Sequence, residues 1–238
     1  MMQIARGGSL PRTSDFELIG RLLPLEGTRL LELGCGAAFT TRRLAETFAL
    51  REIVAMEVDR IQHEKNLLIP DLPNVTFTFG GAEAIGLPDE MVDAVIMLKS
   101  LHHVPVEAMD TAFSEIARVL RPGGMAYISE PVYAGEFNEI LRLFNDERTV
   151  REAAFEATRR AVDERAFDLQ EEIHFATVTR FEGFEEFESR IIGATHSTFD
   201  IDDALLERIR EAFLPHVARD GIAEFVNPMR LDLLRKPD

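Results

Sequence analysis

From Arg29 to Glu130, short apolar runs rich in β-branched residues alternate with stretches whose apolar residues recur at helical spacing. The runs predict strands over 28–33, 52–57, 74–79, 92–97 and 124–130. Between them, Phe39, Leu44, Ala45 and Phe48 predict a helix over 39–49, and Val106, Met109, Phe113, Ile116 and Leu120 predict another over 106–120. Strand and helix alternating in this way indicate a parallel sheet with crossover helices. Pro122-Gly123-Gly124 is expected to stop the second helix and turn the chain into the fifth strand. Upstream, Asp15 is expected to cap a short helix over 16–23 whose Phe16, Ile19, Leu22 and Leu23 cover the sheet edge or the mouth of its crevice. After Glu130 the pattern changes: 135–164 and 201–218 read as acidic helices, 171–179 as a strand, and 222–235 as a final strand with Met229, Leu231 and Leu233 on one face. No internal repeat or linker interrupts the chain, which predicts one domain: a helical cover over 1–27, a core over 28–131, an elaboration over 132–220 and a last strand over 221–238.

Composition narrows the partners. The 42 acidic residues outnumber 26 basic ones, a net charge of −16 that repels a phosphate backbone and argues against nucleic acid. Lys65, Lys99 and Lys236 are the only lysines, and the arginines are scattered. Cys35 is the single cysteine, so no intramolecular disulfide forms and a cysteine-built metal site lacks ligands. No apolar run approaches the roughly 20 residues of a spanning helix, and Met1–Pro11 holds no apolar signal core, so a cytoplasmic protein that avoids membranes is expected.

The candidate chemistry begins at 30–38, LLELGCGAA, where an apolar strand runs through Glu32 into Gly34-Cys35-Gly36 and a helix. Glycine tolerates unusual dihedrals, and the helix start offers unpaired N–H groups to a carboxylate or phosphate. Glu57, at the tip of the second strand, is placed to accept hydrogen bonds from two ribose hydroxyls. A nucleoside-bearing cofactor follows. A G-x-G-x-x-G dinucleotide motif counted from Gly34 requires glycine at 39, where Phe39 stands, although an NAD-linked reductase remains an open alternative.

Four segments then carry a family resemblance. LLELGCGAAFTTRRLAE (30–46), AMEVD (55–59), GGAEAIGLPDEMVDAVIM (80–97) and IARVLRPGGMAYISEP (116–131) resemble, in order and spacing, the motifs of class I S-adenosylmethionine-dependent methyltransferases, the small-molecule type similar to ubiquinone-biosynthesis enzymes. The resemblance implies an α/β, Rossmann-like three-layer sandwich: a mostly parallel seven-stranded sheet with an antiparallel last strand and a helical insertion after the fifth. It also implies a methyltransferase that uses S-adenosylmethionine. Gly34, Cys35 and Gly36 would line the methionine and ribose portion through backbone, Glu57 would hold the ribose, Val58 would touch one adenine face and the Ala82 N–H would meet the ring. Glu32 and Lys99, near the ends of the first and fourth strands, are counted with them. Two positions depart: Ala38 replaces a customary third glycine, and Gly81 replaces the aspartate that receives the adenine amino group, which passes that role to Glu83 or water.

Methyl transfer is an in-line displacement, for which the protein mainly supplies proximity and a base where the nucleophile arrives protonated. Candidates lie at the carboxyl ends of the strands. His103 or His102 would serve as the base, the other packing or capping the next helix, and Glu130 would orient the acceptor. Tyr133 and His174 are counted on the acceptor side. Adjacent histidines are wrongly spaced for a helical metal pair, and no metal is expected. The expected partner is a small-molecule acceptor methylated on O, N or S, with a homodimer compatible. A protein that binds the cofactor without transferring methyl groups, as a sensor or partner of another enzyme, is the alternative from another class.

Overall fold

The computed structural model describes residues 2–193 and 199–238. Strands β1 (Arg29–Leu33), β2 (Glu52–Glu57), β3 (Val75–Phe79), β4 (Val92–Leu98), β5 (Leu120–Pro131), β6 (Asp168–Phe181) and β7 (Ala223–Arg235) form one sheet in the order β3-β2-β1-β4-β5-β7-β6. The first five pair in parallel, and β7 runs antiparallel to both β5 and β6. This is the mostly parallel, seven-stranded sheet with an antiparallel last strand that the sequence predicts.

Alternation along the strands feeds two cores. Leu30, Ile53, Ala55, Ala94 and Ile96 pack with Leu18 and Ile19 of α1 (Asp15–Leu22) and Leu44 of α2 (Phe39–Thr47). Leu31, Leu33, Val54, Met56, Val95 and Met97 face the other way, onto α4 (Met109–Val119) and α6 (Arg148–Asp163). Burial on both faces is why these strands read as nearly continuous apolar runs. A third cluster lies apart, where Phe181, Phe184, Phe187, Phe213 and Phe225 join Ile140 and Ile209. It fixes α5 (Glu136–Leu141), α7 (Phe184–Phe187) and α8 (Asp203–Phe213) as a cap over one end of β6 and β7.

Several boundaries differ from the sequence reading. The helix expected over 135–164 is two, because Asp146 accepts from the Arg148 N–H and Asn145 donates to Glu147, a side-chain turn that breaks the first helix and starts the second. Strand β5 begins at Leu120, and the Pro122-Gly123-Gly124 segment is absorbed within it at a register shift opposite Val92 and Ala94. Ser14, not Asp15, caps α1: its side chain accepts from the Glu17 N–H and Glu17 reaches back, a complete capping box. The segment before α1 runs beside β6, where Ala176 exchanges backbone hydrogen bonds with Pro11 and Thr13. There it covers a sheet edge that would otherwise present unpaired backbone groups.

Candidate active site

The sheet order reverses between β1 and β4, and the crevice outside such a switch point is where ligands bind in open α/β sheets. At the end of β1, Gly34 (φ +76°) and Gly36 (φ +52°) hold left-handed backbone, and Ala38 does so as well at φ +59°. A Cβ on Gly34 would lie 2.7 Å from the Ser100 Cβ, so glycine is what lets the turn nest against the end of β4. Ala38 carries the modest strain that a third glycine would avoid. Glu57 anchors the turn: its Oε2 accepts from the Gly36 N–H at 2.7 Å, and its Oε1 accepts from the Val58 and Asp59 N–H groups at 2.8 Å each. These bonds fill three of a carboxylate's roughly four acceptor positions, leaving about one for a ligand hydroxyl where the sequence predicts two contacts.

The sequence reading missed a second anchor, α3 (Arg60–Asn66). Its buried Asn66 donates to the Gly36 carbonyl at 2.7 Å and to the Cys35 sulfur at 3.5 Å. Cys35 therefore turns inward, and burial together with the charges of Glu32 and Glu57 pushes its thiol well above its ordinary range, so it is no nucleophile. Glu32 also sits beneath the turn, fully buried, accepting from the Thr41 hydroxyl at 2.6 Å. Burial, with a smaller push from Glu57 and against the Thr41 bond, takes it up to about 7. Both residues support the turn from below and contribute no side chain to the crevice.

Above the turn opens a cavity of about 680 Å³ lined by Gly34, Gly36, Glu57, Val58, Gly81, Ala82 and Glu83, and closed on the β4 side by Lys99, Ser100 and His103. Val58 is an exposed apolar side chain at its rim, 59% accessible, suited to cover a flat ring. The gap left by the missing side chain at Gly81 is filled: a Cβ built there would collide with both carboxylate oxygens of Glu83. Glu83 thus brings a carboxylate to the space that an aspartate at position 81 would use.

A second cavity, of about 470 Å³, lies between the sheet end and the cap. Phe137, Leu141, Phe144, Ile191, Phe199 and Met229 give it an apolar wall, and Thr177, Thr179 and Asn227 a polar one. The two cavities share Lys99, His103 and Arg190. Lys99 is held in place by its strained backbone (φ +57°) and by its N–H, which donates to the Ser129 carbonyl at 2.7 Å.

The two histidines part company here. His103 is exposed and lines both cavities. His102 is 5% exposed, and its Nδ1 is hydrogen-bonded to Glu130 Oε2. Its Nε2 lies 3.9 Å from Glu147 Oε2. Burial is the largest influence on His102 and disfavours its charge, but Glu130 and Glu147 together outweigh it and hold the imidazole above its ordinary value. Glu130 feels burial in the opposite sense and is nonetheless held low by His102, by the Leu101 N–H at 2.9 Å and by Arg230. Glu147 is gripped by Arg151 at 2.6 and 3.1 Å. No local signal in the sequence couples Glu147 and Arg151 to histidines more than forty positions earlier. One ligand atom each of His102, His103 and Glu147 lies within 4.8 Å of the others, a set with metal-ligating chemistry; Glu130 engages only Nδ1 of His102, and Arg151 grips the Glu147 carboxylate.

Tyr133 and His174 depart from the acceptor-side placement expected of them. The Tyr133 ring lies under the Arg148 guanidinium, 4.7 Å from it, and is absent from the described linings. His174 packs at the sheet edge, its Nε2 3.1 Å from the Gln3 carbonyl, because β6 extends past the cap and carries this residue to the N-terminal segment.

Comparison with known proteins places this architecture. Residues 31–128 match the family model described as a methyltransferase domain. An uncharacterized methyltransferase of Mycobacterium tuberculosis is 40% identical over 109 residues, 45% of this chain and 42% of that protein. A fatty-acid O-methyltransferase of Mycolicibacterium smegmatis is 33% identical over 100 residues, 42% of this chain and 36% of that one. The aligned part therefore spans less than half the length of these relatives. Among solved structures, a candidate methyltransferase of Bacillus halodurans superposes with TM-score 0.66 at 18% identity, covering 95% of this chain and all of that one. The cyclase SpnF superposes at 0.60 with 20% identity, covering 93% of this chain and 79% of that one. These two likenesses concern the fold, which hosts more than one chemistry. Residues 31–128 are thus similar to a methyltransferase domain, and that match ends before the insertion that builds the second cavity.

Proposed function

We propose that the protein transfers a methyl group from S-adenosylmethionine to an O, N or S atom of a small acceptor held under the cap. The observation that carries this reading is the pair of cavities meeting at Lys99, His103 and Arg190. One is floored by a glycine turn with a carboxylate anchor and suits a nucleoside-bearing donor; the other is largely apolar and suits an acceptor, so transfer occurs at the shared wall. The relative named a fatty-acid O-methyltransferase, and another from Yarrowia lipolytica named a sterol 24-C-methyltransferase, agree with an apolar acceptor.

The donor set fits the cofactor. Gly34 and Gly36 offer backbone, Glu57 its remaining acceptor position to a ribose hydroxyl, Val58 an apolar face to adenine, and Ala82 its N–H to the ring. S-adenosylmethionine supplies, when bound, an electrophilic methyl group on a sulfonium. His103 stands at the junction to take a proton from a protic acceptor, while His102, locked between Glu130 and Glu147, fixes the helical turn that presents it. No helix among the described residues is long and apolar enough to cross a membrane.

Glu83 is assigned the adenine amino group, in place of the aspartate that position 81 lacks. Glu83→Ala is expected to weaken binding of S-adenosylhomocysteine about tenfold, the value of one such hydrogen bond. Gly81→Asp in the same background is expected to restore it. Isothermal titration decides, and an unchanged dissociation constant in Glu83→Ala removes the assignment. The reading as a whole falls if neither S-adenosylmethionine nor S-adenosylhomocysteine binds.

A further inference from the structure

The wall between the two cavities is cationic, and we infer that the acceptor presents a carboxylate to it from an apolar body. The inference rests on the methyltransferase reading and specifies its substrate class. Lys99 and Arg190, both basic side chains, line both cavities. Among the described residues no carboxylate pairs with Lys99. Arg190 is brought in from the π-helical segment Glu188–Ile192 that continues α7, and is pre-oriented: its Nη1 donates to Glu186 Oε1 at 2.8 Å and to the Arg180 carbonyl at 3.3 Å, and its guanidinium lies 5.0 Å from the Phe181 ring centroid. Among the described residues the one acidic side chain on the acceptor wall, Glu147, is already matched by Arg151 and His102.

Beyond that wall the acceptor cavity has an apolar side of Phe137, Leu141, Phe144, Ile191, Phe199 and Met229, facing the polar side of Thr177, Thr179 and Asn227. A carboxylate leaving water for such a cavity requires pairing, which Lys99 supplies, with Arg190 adding donors to a charge it shares with Glu186. A protonated amine at the same place would face Lys99 and the Glu186-paired Arg190 besides the donor's sulfonium. The chemistry agrees, because a carboxylate attacking a sulfonium methyl discharges two opposite charges, and that is favoured where water is excluded. A carboxylate oxygen contributes the electron pair of the new C–O bond, and the pair of the broken C–S bond stays on sulfur as a thioether. The product is a methyl ester, and no proton needs removal.

The test compares decanoic acid, 1-decanol and decylamine by titration into the protein saturated with S-adenosylhomocysteine. Expected is tighter binding of the acid than of the alcohol by tenfold or more, with the amine weakest, and loss of the acid's advantage in both Arg190→Gln and Lys99→Met. With S-adenosylmethionine, the acid is expected to give its methyl ester by mass spectrometry. Equal or tighter binding of the alcohol or amine, or an acid preference that survives both substitutions, overturns the inference. Because S-adenosylhomocysteine is titrated first, absence of its binding strikes the methyltransferase reading instead, and the acid series in cofactor-free protein then still reports on the cationic wall.

Discussion

Glu57→Gln is expected to weaken S-adenosylhomocysteine binding about 100-fold while leaving the protein folded. The carboxylate accepts from three backbone N–H groups at once, Gly36 on one oxygen and Val58 and Asp59 on the other. An amide has the same shape but only one acceptor oxygen, so whichever way it is turned its NH2 group faces at least one of those N–H groups. The substitution thus trades charge-assisted bonds for a donor-to-donor contact, at a cost of about 1–3 kcal/mol. The penalty falls on Gly36 and on the start of α3, the two backbone segments that close round the cofactor cavity, and the acceptor position kept for a ribose hydroxyl loses its charge as well. Together these losses approach about 3 kcal/mol, or two decades of affinity. Titration calorimetry measures the constant, and far-ultraviolet circular dichroism reports the fold. A loss smaller than threefold would show that Glu57 neither shapes the turn nor touches the ligand.

The same residue shows how far the chain could be understood from its pattern. Glu57 stands at the end of an apolar run, about one crossover after a glycine turn, and both facts are local in sequence. Strands β1, β2 and β4 were legible within a residue or so because burial on both faces leaves an unbroken apolar signal, and the half-buried β3 through its alternation of apolar residues with threonine. Helix α3 was not legible: its residues RIQHEKN are almost all polar or charged, and only Asn66 is buried, so no apolar period exists to detect. It is held by the Asp59 cap and by the bond from Asn66 to the glycine turn, which are tertiary facts.

The acceptor side was hardest for the same reason. Glu147, Arg151 and Arg190 reach the junction from an insertion whose surface would look no different if they were ordinary solvated charges. His102 and His103 were recognisable as a pair, but not which of them faces the cavity. That is decided by Glu130 on β5 and Glu147 before α6, which capture His102 and leave His103 at the junction. Tyr133 follows a strand end and His174 lies within a strand, and neither position in sequence says which way a twisted sheet turns the side chain.

His102→Ala is expected to lower the melting temperature by about 10 °C near pH 6, through loss of a buried charge partner rather than through loss of packing alone. His102 lies between two carboxylates, and removing one member of a buried ionic network costs about 3–5 kcal/mol because the other is left unpaired. In a chain of this length each kcal/mol moves the midpoint by about 2–4 °C. The pH dependence identifies the cause. In the parent protein Glu130 is held low, so its stabilising contribution is present above its ordinary value of 4.5 and is lost as pH falls through its folded value. His102 is held high, so its contribution is complete below its ordinary value of 6.5 and is lost as pH rises through its folded value. The network is therefore at full strength between these two ordinary values. In the variant, burial acts on Glu130 without its strongest counterweight, and its carboxyl takes up a proton more readily than in the unfolded chain. The destabilisation is then greatest near pH 6, where an unfolded carboxylate is largely ionised and the His102 contribution is still complete, and it relaxes toward pH 5 as the buried group is neutralised. Calorimetric melting of parent and variant at both pH values measures the difference directly. A gap that stays constant between them would mean that His102 serves only as packing, and that the carboxylates flanking it do not depend on its charge.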